Sequence, residues 1–280
     1  MIIARTIESF RQARKNLNGS LGFVPTMGYL HAGHLALVQS AQQANDFTAV
    51  SIFVNPAQFN SSADLAAYPR DEARDLAMLE AQGVTLVLIP SAEEMYPPHF
   101  QTYVDVEQIT QGLEGEYRPG HFRGVATVVS KLFNIVQPDR AYFGQKDAQQ
   151  VAVIQQMIRD LNIPVQMVVC PTLREPDGLA MSSRNARLSS DERQAAVVLH
   201  KALRKAEKTY LSGEKHPKKL VDCAKNILLS EPKAEIEYIS INDFNTLTPL
   251  NTPSDAPMLL SMAVYMGKVR LIDNIILQQP

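Results

Sequence analysis

The stretch FVPTMGYLHAGH, residues 23–34, decides the fold of this chain. It begins with a short apolar run, breaks at Gly28, and passes into an amphipathic pattern from residue 34 onward. This order predicts a buried strand, a turn and a helix. Such a turn directs backbone N–H groups and the positive end of a helix dipole toward the space above the sheet, where phosphate binds well.

Two histidines lie at the predicted start of this helix. His31 and His34 are three residues apart, so their side chains share one face, and imidazoles there can donate hydrogen bonds to phosphate oxygens. The alternatives are an ordinary cap or surface position, and half of a metal site. No HExxH pattern and no nearby cysteine or carboxylate pair supports a metal. The strand–turn–helix context favours nucleotide phosphate binding.

Apolar runs typical of strands buried on both faces alternate with helical patterns up to about residue 172. The predicted strands are 22–26, 47–55, 84–90, 139–144 and 165–170, with a further short strand at 102–109. The predicted helices are 5–17, 34–45, 70–82, 123–137 and 147–161. The alternation predicts an α/β fold with a doubly wound parallel sheet and right-handed crossovers, in a domain of residues 1–175.

The pattern changes after Pro171, where a turn-rich connector begins. Ser189 and Glu192 have the spacing of a capping box at a helix start. Helices are predicted at 189–212 and 217–230, and strands at 236–243, 258–266 and 269–277. We expect residues 176–280 to form a smaller α+β domain that closes over the first.

Composition excludes several classes of protein. The 280 residues are 45% hydrophobic with a net charge of −2, so charge gives no support for binding nucleic acid or an anionic membrane. Cys170 and Cys223 form no metal or redox motif. The amino-terminal residues lack a signal-peptide core, and no apolar run approaches the ~18 residues of a membrane helix. We expect a cytoplasmic protein that acts on small molecules.

Polar residues follow several predicted strands, at the edge where open α/β sheets bind ligands. Asn55 and Gln58 follow one strand and Lys146 another, and residues 182–184 add two hydroxyls and a guanidinium suited to polyphosphate. Each has an ordinary alternative, as a turn residue, a surface lysine or a capped loop. The loop residues Arg118 and His121 either contact an anion or lie on a solvated surface.

These motifs together resemble the pantothenate synthetase family, the pantoate–β-alanine ligases, along essentially the whole chain. The matching segments are PTMGYLHAGH (25–34), FVNPAQF (53–59), YPR (68–70), HFRGV (121–125), GQKDAQQ (144–150) and LAMSSRN (179–185). The resemblance implies a Rossmann-like domain of the HxGH nucleotidyltransferase type, followed by a smaller C-terminal domain.

The resemblance also implies a reaction. ATP drives the condensation of (R)-pantoate with β-alanine through a pantoyl-adenylate, and AMP and pyrophosphate are released. The family is typically cytoplasmic, Mg²⁺-dependent and homodimeric, so the resemblance implies all three properties for this chain.

Site residues follow from the same resemblance. The implied catalytic residues are His31, His34, Lys146, Ser182 and Arg184. The implied ATP contacts are Met27, Gly28, Tyr29, Leu30, His31, Ala32, Gly33, His34, Gly144, Gln145, Lys146, Asp147, Leu173, Met181, Ser182, Ser183 and Arg184. The implied contacts to pantoate and β-alanine are Gln58, Gln150 and Asn55. Asp147 is the implied contact for the metal.

Two other functions compete with this one. A different HxGH nucleotidyltransferase would attach AMP to a phosphorylated cofactor precursor, which explains residues 25–34 but not the NPAQF, KDAQQ and MSSRN segments. A regulatory ATP-binding module without chemistry would not need to retain Lys146 and both histidines.

Overall fold

A computed structural model describes residues 1–279 of the chain. They divide into two compact units, the first comprising Met1–Gln145 and Gln150–Pro171, the second comprising Lys146–Gln149 and the chain from Thr172 onward. The predicted domain boundary at residue 175 and the predicted closure of the second domain stay predictions. No helix within residues 1–279 is long and apolar enough to cross a membrane.

The first unit is built on a six-stranded parallel sheet in the order β1-β4-β3-β2-β5-β6. Its strands are β1 (Ile2–Ala4), β2 (Leu21–Thr26), β3 (Phe47–Ile52), β4 (Leu86–Leu88), β5 (Arg140–Gly144) and β6 (Gln166–Cys170). The helices of this part of the chain are α1 (Ile7–Lys15), α2 (Ala32–Ala44), α3 (Ser62–Ala67), α4 (Glu72–Ala81), α5 (Ala92–Met95), α6 (Glu114–Tyr117), α7 (His121–Val136) and α8 (Ala148–Asp160). Two buried apolar clusters pack against the sheet.

The order of the strands places a topological switch between β2 and β5. Ligands of open α/β sheets bind at such a point, beyond the carboxyl ends of the strands. Strand β2 pairs with β3 as far as Thr26, whereas it pairs with β5 only at Gly22 and Phe23. Pro25 has no N–H to donate to a neighbouring strand, so it fits a position where that ladder ends.

The second unit contains a three-stranded antiparallel sheet in the order β7-β8-β9. Its elements are α9 (Ser190–Ala195), α10 (Val198–Leu211), α11 (Pro217–Leu229), β7 (Ala234–Asp243), β8 (Met258–Met266) and β9 (Val269–Leu277). Ser189 and Glu192 form the predicted capping box of α9. One buried apolar cluster joins these helices to the sheet.

Two predictions of secondary structure are wrong. Residues 102–109 form no strand: the Val104 N–H donates to the hydroxyl of Thr127 on α7 (3.0 Å), and Val104 and Val106 pack against the core. The alternation there reflects the packing of Val104 and Val106 against the core. The predicted helix 189–212 is interrupted at Ala196 and Val197, whose ψ angles of −20° and −19° are those of a tighter 3₁₀-like turn.

Helix α7 approaches the 3₁₀ turn Pro56–Gln58 closely at Gly124. A β-carbon at Gly124 would lie 2.8 Å from Cα of Gln58 and against the carbonyl of Ala57, so only glycine fits without displacing backbone.

We therefore expect Gly124→Ala to lower the free energy of unfolding by about 1–3 kcal/mol, because backbone must move to admit the methyl group. Thermal denaturation followed by circular dichroism measures this. Gly112→Ala is the control, because a β-carbon at Gly112 meets nothing within 4 Å. Equal unfolding temperatures for the two variants would contradict the packing argument.

Candidate active site

His31 and His34 form a capping box at the start of α2. The Nδ1 atom of His31 accepts the N–H of Gly33 (3.1 Å), and Nδ1 of His34 accepts the N–H of His31 (3.3 Å). The two rings lie 4.1 Å apart between centroids. Each histidine side chain thus accepts a backbone N–H at the start of the helix. Serine and glutamate usually provide these two acceptors in a capping box.

This capping box fixes the tautomer of both rings. A backbone N–H can only donate, so each Nδ1 must be an unprotonated acceptor, and each neutral ring carries its proton on Nε2. Both histidines are therefore Nε2–H donors at the amino-terminal end of a 13-residue helix, an end that attracts anions.

The loop before this helix is held by Asp75 of α4. Its two carboxylate oxygens accept the N–H groups of Tyr29 and Leu30, each at 2.7 Å. Asp75 is 1% exposed, and burial raises the pKa of its carboxyl while the two N–H bonds act in the opposite direction. Gly28 has φ of +81°, and a β-carbon there would lie 3.1 Å from the Asp75 carboxylate, so the loop requires glycine.

A second polar cluster lies where β3 ends. Asn55 and Gln58 are 1% and 8% exposed, and the amide of Asn55 donates to Oε1 of Gln58 (3.0 Å). Nε2 of Gln58 lies 3.1 Å from the sulfur of Met27, which belongs to the loop after β2. The structure thus brings together three residues predicted from two separate motifs.

The backbone carbonyl of Gln58 is held by Arg118 and His121. The His121 Nδ1–H donates to this carbonyl (2.9 Å), and the Arg118 guanidinium donates to it at 3.3 Å and to Nε2 of His121 at 3.3 Å. A guanidinium has no acceptor, so the proton of His121 is on Nδ1. His121 is buried, so it does not lie on a solvated surface, and contact of this pair with an anion stays a prediction.

Within the second unit, a pocket brings together three of the predicted residues. Lys146, Ser182 and Arg184 line it together with Arg270 and Asp273. Arg270 pairs with Glu237 and Asp273 with Arg174. Arg184 and Lys146, whose Nζ lies 3.9 Å from the Asp147 carboxylate, bring further positive charge to this pocket.

Lys146 is anchored through its backbone. Its carbonyl accepts the side-chain amide of Asn274 on β9 (2.8 Å), and its Nζ lies 3.9 Å from the carboxylate of Asp147. The neighbouring Asp273 is 2% exposed and accepts two hydrogen bonds from Arg174 (2.6 and 2.9 Å). Removing one partner of such a pair costs about 3–5 kcal/mol, because the other charge stays buried.

The remaining predicted residues occupy varied environments. Ser183 is buried, Gln150 and Met181 are partly buried, and Leu173 is exposed. Gly144 ends β5, and Gln145 begins the 3₁₀ turn that follows it. Their contacts to substrates stay predictions.

Sequence reasoning missed several supporting residues. Asp75, Tyr96 and Asn274 contact predicted site residues but belong to no motif that spacing distinguishes. The same holds for Arg174 and Asp273, which pair with each other beside the pocket. Asp75 lies 45 residues beyond Leu30, so only the fold brings it to the loop.

A known protein family matches almost the whole chain. The family described as pantoate-beta-alanine ligase matches residues 2–276. The chain belongs to this family. It is 56% identical to the pantothenate synthetase of Chloroflexus aurantiacus over 278 residues, which are 99% of each chain. It is 53% identical to that of Herpetosiphon aurantiacus, over 99% of this chain and 100% of the other.

Solved structures of the pantoate–β-alanine ligase family agree with the fold. The pantothenate synthetase of Thermus thermophilus has a TM-score of 0.93 and 45% identity, with full coverage of both chains. The Francisella tularensis ligase, crystallised with beta-gamma ATP and beta-alanine, has a TM-score of 0.83 and 36% identity over 100% of this chain and 99% of the other. The predicted family, fold class and ligase activity are confirmed.

We expect Asp75→Asn to lower kcat/KM for ATP, because it disturbs the loop that Asp75 holds. The amide retains one acceptor but turns an NH₂ group toward the second backbone N–H. An unsatisfied buried donor costs about 1–3 kcal/mol, so kcat/KM for ATP should fall roughly tenfold. Steady-state kinetics measures this.

Glu80→Gln is the matched control, since it removes an exposed carboxylate from the same helix. A folded Asp75→Asn variant with the kinetics of this control would show that the carboxylate does not position the loop.

Proposed function

We propose that this chain uses ATP to join pantoate to β-alanine in two steps. A carboxylate oxygen of pantoate attacks the α-phosphorus of ATP, and pyrophosphate leaves. The amine of β-alanine then attacks the acyl carbon of the adenylate, AMP leaves, and the nitrogen loses a proton. The observation that carries the proposal is the family match over residues 2–276, which includes every predicted site residue.

His31 and His34 are proposed to bind the phosphates of ATP. Their capping box leaves the proton of each neutral ring on Nε2, and the end of α2 adds its dipole. The loop of residues 27–30 is proposed to contact the nucleotide through its backbone, in the conformation that Asp75 holds.

Lys146, Ser182 and Arg184 are proposed to stabilise charge on the phosphates. Lysine is a compact point charge, whereas arginine offers a planar fork to phosphate oxygens. Such fixed groups act by electrostatic stabilisation of the pentavalent phosphorus and need no rearrangement during the reaction. The pocket that brings these three side chains together supports the assignment.

Gln58, Gln150 and Asn55 are proposed for pantoate and β-alanine. The surroundings of Gln58 support its assignment, because the Nε2 atom of this buried residue has the sulfur of Met27, a weak acceptor, as its partner at 3.1 Å. Asn55 is assigned from the family resemblance. Gln150 is partly buried in α8 and is assigned from the family resemblance alone.

Mg²⁺ is proposed to accompany ATP. No group of three His, Cys, Asp or Glu residues that could hold a metal occurs within residues 1–279. Mg²⁺ needs only one or two carboxylates when phosphates and water complete its shell, and the Asp147 carboxylate, 47% exposed, fits that role. The ion would neutralise phosphate charge. A homodimer and a cytoplasmic location also stay predictions, and sedimentation would measure the oligomeric state.

Exchange of labelled pyrophosphate into ATP tests the reaction. We expect exchange that depends on pantoate and stops when Mg²⁺ is chelated, and sustained AMP release only when β-alanine is added. Exchange without pantoate, or none with it, would contradict the adenylate mechanism. Phosphorylated cofactor precursors would then be tested as acceptors of AMP.

His34→Ala and Lys146→Ala are each expected to lower turnover by about 10² or more, because each removes one donor to the transition state. Circular dichroism should show an intact fold. Lys268→Ala is the control, since it removes an exposed lysine from the turn between β8 and β9. A folded variant with near-normal turnover would remove its residue from the catalytic set.

A further inference from the structure

The amide orientation of Asn55 is determined by two backbone groups. Its Oδ1 accepts the N–H of Ala57 (3.3 Å), and its Nδ2 donates to the carbonyl of Gly124 (3.1 Å). A backbone N–H can only donate and a carbonyl can only accept, so flipping this amide would break both bonds. The identity of the two terminal atoms of Asn55 therefore follows from the backbone.

Tyr96 adds a third constraint on the same amide. Its hydroxyl lies 2.7 Å from Oδ1 of Asn55, which has no hydrogen to give, so the hydroxyl is the donor. Burial raises the pKa of Tyr96 to about 12, which keeps the hydroxyl protonated at neutral pH. The ring is held by aromatic contacts with Phe53 and Phe100, at 6.3 and 5.0 Å between centroids.

The orientation of the Asn55 amide determines the orientation of the Gln58 amide. The second hydrogen of the Asn55 amide points to Gln58 at 3.0 Å, so the atom that receives it must be the carbonyl oxygen Oε1. The nitrogen of Gln58 then occupies the other position, 3.1 Å from the sulfur of Met27. A thioether is a weak acceptor, which a substrate oxygen would replace favourably.

We infer that Tyr96 is a positioning residue that, together with the two backbone contacts of Asn55, holds Gln58 as a hydrogen-bond donor toward the substrate. The substrate atom at Gln58 is then an acceptor, a carboxylate oxygen or the lone pair of a hydroxyl of pantoate. This inference rests on the proposed function, and it assigns to Tyr96 a part in recognising the hydroxy acid. It also gives Asn55 a further role, because the Asn55 amide orients the amide of Gln58.

The first experiment compares Tyr96→Phe with Tyr103→Phe. Both variants lose one hydroxyl from neighbouring rings of the same aromatic row, since Tyr103 contacts Phe100 at 5.4 Å. Loss of one hydrogen bond should raise the pantoate concentration that half-saturates pyrophosphate exchange by about threefold to tenfold in Tyr96→Phe. The half-saturating concentration of ATP should not change, and Tyr103→Phe should match the unmodified chain.

The second experiment tests the polarity of Gln58 directly. If its N–H faces the substrate, Gln58→Glu places a negative oxygen against an acceptor and should weaken pantoate binding more than the uncharged Gln58→Met does. If its carbonyl faced the substrate, Gln58→Glu would retain that acceptor and bind better than Gln58→Met. The order of the two half-saturating concentrations therefore decides the orientation.

The results of these experiments separate the proposed function, the role of Tyr96 and the orientation of Gln58. Absence of pantoate-dependent exchange in the unmodified chain would overturn the proposed function itself. An active chain in which Tyr96→Phe behaves as Tyr103→Phe would overturn the role of Tyr96. An active chain in which Gln58→Glu binds pantoate better than Gln58→Met would overturn the donor orientation.

Discussion

Two backbone N–H groups of the loop after β2, those of Tyr29 and Leu30, donate to the two oxygens of one buried carboxylate, Asp75. Both oxygens are 2.7 Å from their donors, so the loop cannot rotate without leaving buried polar groups unsatisfied. The loop in turn sets where α2 begins. The two histidines of its first turn, and the direction of its dipole, depend on that starting point.

The first unit fixes its polar side chains with backbone groups. Backbone N–H groups set the tautomers of His31 and His34, and backbone groups of Ala57 and Gly124 set the amide of Asn55. Backbone donors and acceptors cannot exchange roles, so each side chain attached to them presents one defined atom to a ligand. Groups that are oriented before the ligand arrives need no reorganisation when charge develops on it.

The pocket in the second unit depends on a different device, an ion pair with little exposure. Asp273 receives both arms of the Arg174 guanidinium, and its neighbour Asn274 holds the carbonyl of Lys146. Two adjacent residues of β9 therefore have separate roles. Asp273 holds Arg174 in the connector after Pro171, and Asn274 holds the predicted catalytic residue Lys146. Lys146 lies in a short 3₁₀ turn rather than in an α-helix, and this hydrogen bond to its carbonyl helps to hold its backbone in place.

The sequence by itself determined the alternation of buried strands and helices, the first strand–turn–helix unit and the family, because apolar periodicity and contiguous motifs are local properties of the chain. It did not determine β1, because three residues are too few to show a hydrophobic period. It predicted a strand at residues 102–109, because apolar residues that pack against the core there alternate with polar ones, as they do in a strand. Tertiary structure alone decided the roles of Asp75, Tyr96 and Asn274. Each acts on residues at least 41 positions away, and such a contact leaves no trace in spacing, since it exists only when the chain is folded.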